Sequence, residues 1–79
     1  MRVVGEIPSP DCKITVFFWN NRYLLKFEKG YLEQTYKINQ YDVVDENDLR
    51  GMVNQNFVDQ VLKLFEGMEK LLHNALQGL

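Results

Sequence analysis

The sequence predicts an α+β domain in two layers, a four-stranded antiparallel meander with a C-terminal amphipathic helix packed on one face. Three observations carry that expectation. Two-residue turn signals divide residues 12–44 into short stretches in which apolar and charged side chains alternate, the period of a strand. The alternation stops after Val44, where helix-capping residues begin. From Phe57 onward the apolar residues recur at the spacing of a single helical stripe.

The N-terminal segment, residues 1–11, starts with an extended piece, "RVVGEI", after which Pro8 and Pro10 remove backbone donors and force turns. It suits an edge strand, a possible short fifth one, or a cover over the sheet, and not a central strand. The meander, residues 12–44, is expected to run as strands 12–19, 22–29, 31–38 and 41–44. Asn20-Asn21 fits a type I′ turn because asparagine tolerates the left-handed conformation which that turn needs. Lys29-Gly30 supplies the second turn, with glycine at positive φ, and Asn39-Gln40 the third.

A two-residue loop decides which residues face each other, so the three turns can be checked against one another. The first sets Phe18 against Tyr23, Val16 against Leu25 and Ile14 against Phe27. The second sets Phe27 against Leu32 and Tyr23 against Tyr36; the third sets Tyr36 against Val43 and Ile38 against Tyr41. All of these share one face, apolar apart from Gln34 and the turn-proximal Asn21. The opposite face receives Lys13 against Glu28, Lys26 against Glu33 and Lys37 against Asp42, opposite-charge pairs that each favour pairing by about 0.2–1 kcal/mol.

Asp45 caps a short helix, residues 45–53, with Asp48 in its first turn where a carboxylate suits the helix dipole. Asn54 or Asn56 caps a long one, residues 54–77. Its stripe comprises Phe57, Val61, Leu64, Phe65, Met68, Leu71, Leu72, Ala75 and Leu76, while Asp59–Lys63 and Glu66–Lys70 form i,i+4 pairs on the other side. That side is mixed in charge rather than basic, so the helix belongs on a sheet and not on a membrane surface. Such a helix is about 35 Å long, against about 26 Å for an eight-residue strand. Unless it crosses obliquely, it overhangs the sheet and leaves Leu72, Leu76 and Leu79 without an internal partner.

Seventy-nine residues make one domain, small enough to hide only about 60% of its unfolded surface. The single cysteine, Cys12, excludes an internal disulfide, and with a single histidine, His73, no Cys/His zinc site can assemble. A good core or self-association must compensate. No apolar run has the length of a signal peptide or a membrane span, and the unpaired cysteine fits the cytoplasm. Residues 1–40 hold six basic and four acidic side chains, and residues 41–79 three and seven. Fields this weak give little drive toward nucleic acid or anionic lipid.

No nucleophile elbow, phosphate-cradling glycine loop or helical metal-binding pair occurs, so the expectation is a non-enzyme with no cofactor and no metal. His73, beside Lys70 and Glu66 on the polar stripe, reads as a surface histidine. Cys12 follows Asp11, whose charge raises a thiol pKa, and reads as a small buried hydrophobe. Four carboxylates in "DVVDEND" lack the glycine and distal glutamate of a calcium loop, and helix capping accounts for them. The candidate partner surface is Phe17, Trp19, Arg22, Leu24 and Tyr31 on the second sheet face, with Leu72 and Leu76 at the helix end. Thr35, Lys37 and Val44 are expected on the same face. Exposed apolar patches mark interaction surfaces. A homodimer or an unknown protein partner ranks first as occupant, a cover made by Val3, Val4 and Ile7 second, and a single-stranded nucleic acid or small ligand third. The expected function is that of a non-enzymatic interaction module that homodimerises.

"FFWNNRY", "LEQTYKI" and "VLKLFEGM" resemble a group of short, uncharacterised bacterial proteins of the Bacteroidetes type. The resemblance spans roughly residues 7–68. It implies a bacterial cytosolic setting and brings no catalytic or binding residue with it.

Overall fold

The computed structural model describes residues 1–79 and has four strands, β1 (Arg2–Ile7), β2 (Lys13–Trp19), β3 (Arg22–Lys29) and β4 (Leu32–Asn39). They form one sheet in the order β1-β2-β3-β4, each pair antiparallel. Two helices follow, α1 (Glu46–Met52) and α2 (Gln55–Gln77). Both pack on the same face of the sheet. Ile14, Val16, Leu25 and Phe27 meet Leu49, Val53, Val58, Val61 and Phe65 there, with Cys12 at the end of the cluster. The fold is therefore the expected two-layer α+β arrangement.

The first hairpin follows the expected register, with Phe18 opposite Tyr23, Val16 opposite Leu25 and Ile14 opposite Phe27. Asn20 and Asn21 both take positive φ, 53° and 61°, as a type I′ turn requires. The second hairpin is shifted by two residues: Tyr23 faces Ile38, Leu25 faces Tyr36 and Phe27 faces Gln34, so the turn residues are Gly30-Tyr31 rather than Lys29-Gly30. Gly30 has φ 60° at the first turn position, as in a type II′ turn, whereas a type I′ turn at 29–30 would push Lys29 into the left-handed region. A shift of two preserves which face every side chain occupies.

The expected fourth strand, residues 41–44, does not form. Asn39 ends β4 with its side chain accepting from Tyr41 N at 2.9 Å, which starts a single 3-10 turn, Gln40–Asp42. The capping chemistry of asparagine prevails there over its turn chemistry, because a type I′ hairpin would also need positive φ at Gln40. Tyr41 is consequently exposed instead of facing Ile38, Val44 stands in a linker off the sheet, and Lys37 lies opposite Leu24 rather than Asp42. The fourth place in the sheet goes to β1 at the other edge. Ile7 pairs with Ile14 and Val3 with Phe17, and a bulge at Val4 separates Val3 from Gly5.

Asp45 caps α1 by accepting from Asn47 N and Asp48 N, and Asn54 caps α2 by accepting from Phe57 N at 2.9 Å. Arg50 of α1 donates to Glu6 O of β1 at 3.0 Å. A side chain at Gly5 would place its Cβ 3.0 Å from that guanidinium. Phe57 stacks on Phe27 with centroids 5.6 Å apart, and Tyr36 meets both rings edge-on at 6.0 and 5.9 Å. Gln34, the polar exception on the core face, donates to Val61 O at 3.0 Å and accepts from the Tyr36 hydroxyl at 3.1 Å. It ties β4 to α2. The i,i+4 carboxylate Asp59 accepts from Gln55 at 2.8 Å instead of pairing with Lys63, and Glu66–Lys70 does not close into an ion pair either.

The apolar stripe of α2 outlasts the sheet. Val58, Val61 and Phe65 are buried and Met68 still packs against the core, but every residue from Glu69 onward is exposed, Leu76 by 55%. At 1.5 Å per residue, about 13 Å of helix extends past its last packed side chain.

Candidate interaction surface

With both helices on one side, the other side of the sheet has no element of the chain above it. Antiparallel pairing arranges its side chains in four cross-strand rows between β2 and β3: Trp19 with Arg22, Phe17 with Leu24, Thr15 with Lys26, and Lys13 with Glu28. On the flanks, β1 adds Val3 beside Phe17 and Glu6 beside Thr15, and β4 adds Lys37 beside Leu24 and Thr35 beside Lys26. Rather than folding over this face, the N-terminal segment widens it, since β1 lies in the plane of the sheet. The intramolecular cover is thereby excluded, and Val3, 62% exposed, joins the patch.

The face has two unlike halves. Toward the β2–β3 turn it is apolar and aromatic with two basic groups, Arg22 and Lys37; Trp19 is 52% exposed and Phe17 half-buried. Leu24 is only 5% exposed, hidden among the larger side chains around it. Toward the β3–β4 turn it is ionic. Lys26 Nζ lies 3.2 Å from Glu33 and 3.9 Å from Glu28, so the expected Lys26–Glu33 contact forms as a diagonal across the shifted register. Between the halves, Thr15 Oγ1 is buried with no hydrogen-bond partner in the chain.

Of the seven side chains expected at the partner surface, Phe17, Trp19, Arg22 and Leu24 come together here. Tyr31 does not. As a turn residue it sits at the far end of the sheet, where with Glu66, Glu69, Lys70, His73 and Asn74 it lines a depression of about 370 Å³. Leu72 and Leu76 belong to the overhanging part of α2, beyond the packed core, and form a second, separate apolar surface. Val3 is the member that sequence reasoning missed. The alternation of "RVVGEI" is interrupted by the bulge, so its facing could not be read until its pairing with Phe17 was known.

His73 is exposed on the overhanging helix, with Glu69 one turn before it. Cys12 is buried beside a depression of about 440 Å³ lined by the Pro8–Lys13 loop and the β3–β4 turn. Burial pushes its thiol above the ordinary value, Ser9 pulls it down through a hydrogen bond, and Asp11 adds to the rise. A protonated thiol is a poor nucleophile and a poor metal ligand. No three His, Cys, Asp or Glu side chains converge as a metal-binding group, and no helix is long and apolar enough to cross a membrane. Of the acidic cluster, Asp45 and Asp48 spend oxygens on backbone N–H groups at the start of α1.

Comparison with protein-family models, with curated proteins and with solved structures finds no match. The functional reading therefore rests on these surfaces.

Proposed function

We propose that this chain is a non-enzymatic protein-interaction module of the cytoplasm that homodimerises, using the open sheet face as its principal surface and the helix end as a second one. One observation carries the reading: a four-stranded sheet with both helices on one side leaves Val3 and Trp19 exposed and Phe17 half-buried on the other, around a buried Leu24. Contiguous apolar surface of this kind marks contact sites, and a domain this small gains from burying it.

Light scattering across the micromolar range tests the reading, together with the emission of Trp19, the single tryptophan. The expected result is a concentration-dependent dimer with blue-shifted emission, lost in Trp19→Ser. A strict monomer with the emission of a hydrated indole would sink self-association. A second reading, a stacking platform for single-stranded nucleic acid, is favoured by Trp19 and Phe17 lying beside Arg22 and Lys37. The displacement of Tyr31 and the carboxylates of Glu6, Glu28 and Glu33 on the same face weigh against it. Titration with mixed oligonucleotides that leaves Trp19 emission unchanged removes it.

A further inference from the structure

We infer that the occupant of the open sheet face is a second copy of this chain, packed face to face about a two-fold axis that runs parallel to the strands, midway between β2 and β3. This rests on the self-association proposed above and adds the arrangement. Two sheets packed in this aligned manner lie about 10 Å apart, the distance at which facing side chains interdigitate.

The argument comes from the rows. Such an axis lays β2 of one copy over β3 of the other and keeps each row at its own level. The two end rows pair complementary groups, Trp19 with Arg22 and Lys13 with Glu28, so each of these side chains meets its complement once in its own chain and once across the axis. Trp19 lies over Arg22 of the second copy, and Arg22 over its Trp19, an arrangement that lets a guanidinium stack on the indole face. Phe17 meets Leu24, and Lys13 meets Glu28. In the flanking strands Val3 comes to the level of Lys37, whose aliphatic stem can cover it.

An axis perpendicular to the strands does worse. It would reverse the order of the rows, setting Phe17 over Thr15 and Leu24 over Lys26, so that the apolar half of each copy buried the ionic half of the other. That leaves charges desolvated against aromatic rings. The parallel axis instead keeps the apolar half on the apolar half and the ionic half on the ionic half.

The extent sets the strength. Four strands about 4.8 Å apart and about seven residues long give a footprint of about 440 Å² per copy. Both copies together bury roughly 900 Å², below the about 1,200 Å² of stable specific interfaces and in the range of weak, reversible ones.

The test is exchange of charge between copies. Lys13→Glu makes all four groups of the Lys13/Glu28 rows negative across the dimer, and Glu28→Lys makes them all positive. Each variant alone should self-associate about tenfold or more weakly than wild type. Mixed, the two should form a heterodimer that recovers most of the wild-type affinity, because each variant then meets the opposite charge in its partner. Far-ultraviolet circular dichroism of the separate variants shows whether each is folded, and sedimentation equilibrium reads the association. Under the perpendicular axis Lys13 faces Trp19 and Glu28 faces Arg22, so mixing restores nothing.

Recovery on mixing, with the dimer lost in Trp19→Ser, supports the arrangement. A dimer that needs Trp19 but shows no recovery overturns the axis and leaves the proposed homodimerisation standing. A dimer indifferent to Trp19→Ser and abolished by Leu76→Ser moves the contact to the helix end, which also overturns this inference alone. A wild-type monomer at high micromolar concentration overturns both.

Discussion

Two positions on one stripe of α2 separate what the helix does for its own sheet from what it does beyond it. Phe65 is 2% exposed and lies in the core; Leu76, eleven residues later, is 55% exposed. Truncating a buried phenylalanine to alanine costs about 3–5 kcal/mol through lost transfer energy and an unfilled cavity. At about 0.05–0.15 kcal/mol per residue, a chain of this size holds about 4–12 kcal/mol in total, so Phe65→Ala should leave a large unfolded fraction. Phe65→Leu, which keeps most of the volume, gives a folded protein that can be titrated, weakened by about 1 kcal/mol. Leu76→Ala removes a side chain already in water on a residue with good helix propensity, and should cost no more than about 0.5 kcal/mol. Urea unfolding followed by circular dichroism measures all three. A loss above about 1.5 kcal/mol for Leu76→Ala, unchanged between low and high protein concentration, would refute the reasoning, because it would mean that the helix end packs on its own sheet. A loss that grows with concentration would instead reveal an intermolecular contact.

Two glycines should respond with opposite signs. Gly30→Ala has open space for its Cβ but a φ of 60°, and should cost about 1–2 kcal/mol of strain, whereas Gly67→Ala, within α2 with open space around it, should gain about 0.5–1 kcal/mol in the same urea titration. Gln34→Leu removes the donor to Val61 O and should destabilise by about 0.5–1.5 kcal/mol, with the change absent when Tyr36→Phe is made instead, since its hydroxyl is exposed. The raised Cys12 pKa means that the unfolded chain releases the thiol proton first, so stability should hold below about pH 8.5 and fall above it. Cys12→Ala should flatten that decline, and native Cys12 should react with a disulfide reagent more slowly than the same thiol in urea.

Much of this architecture is legible in the order of residues because it depends on facing, and facing depends only on odd and even positions. Tyr23, Leu25 and Phe27 could be assigned to the core and Phe17, Trp19 and Leu24 to the other side without knowing where any partner strand lay; Phe18, also expected in the core, is on that face but outside the core cluster, with the Arg2 guanidinium 5.6 Å from its ring centroid. The same parity hid the slip of two residues in the second hairpin, which changes every cross-strand partner and no facing. What stayed hidden was decided by competition between local preferences. Asn39 can start a turn or cap a helix, and only the route of the chain from Asn39 toward α1 selects the second. Tyr31 was read as strand because its turn was placed one residue early, and that error moved it from the partner surface to the far end of the molecule. Val3 escaped because a bulge breaks the alternation on which the reading relied. The candidate surface was therefore half legible: its centre follows from parity, its edge from long-range pairing.

The two rims of the sheet determine what kind of assembly this chain can enter. On one rim, β1 is kinked by its bulge at Val4; on the other, β4 exposes Glu33, Thr35 and Lys37 and ends in a 3-10 turn. Bulged strands and charged outer strands are the devices that stop sheets from joining edge to edge. Lateral growth into ribbons or fibres is thus discouraged in both directions, and a contact made through the flat of the sheet uses up its surface once. Growth along the strand edges is therefore not the route by which Trp19 is covered.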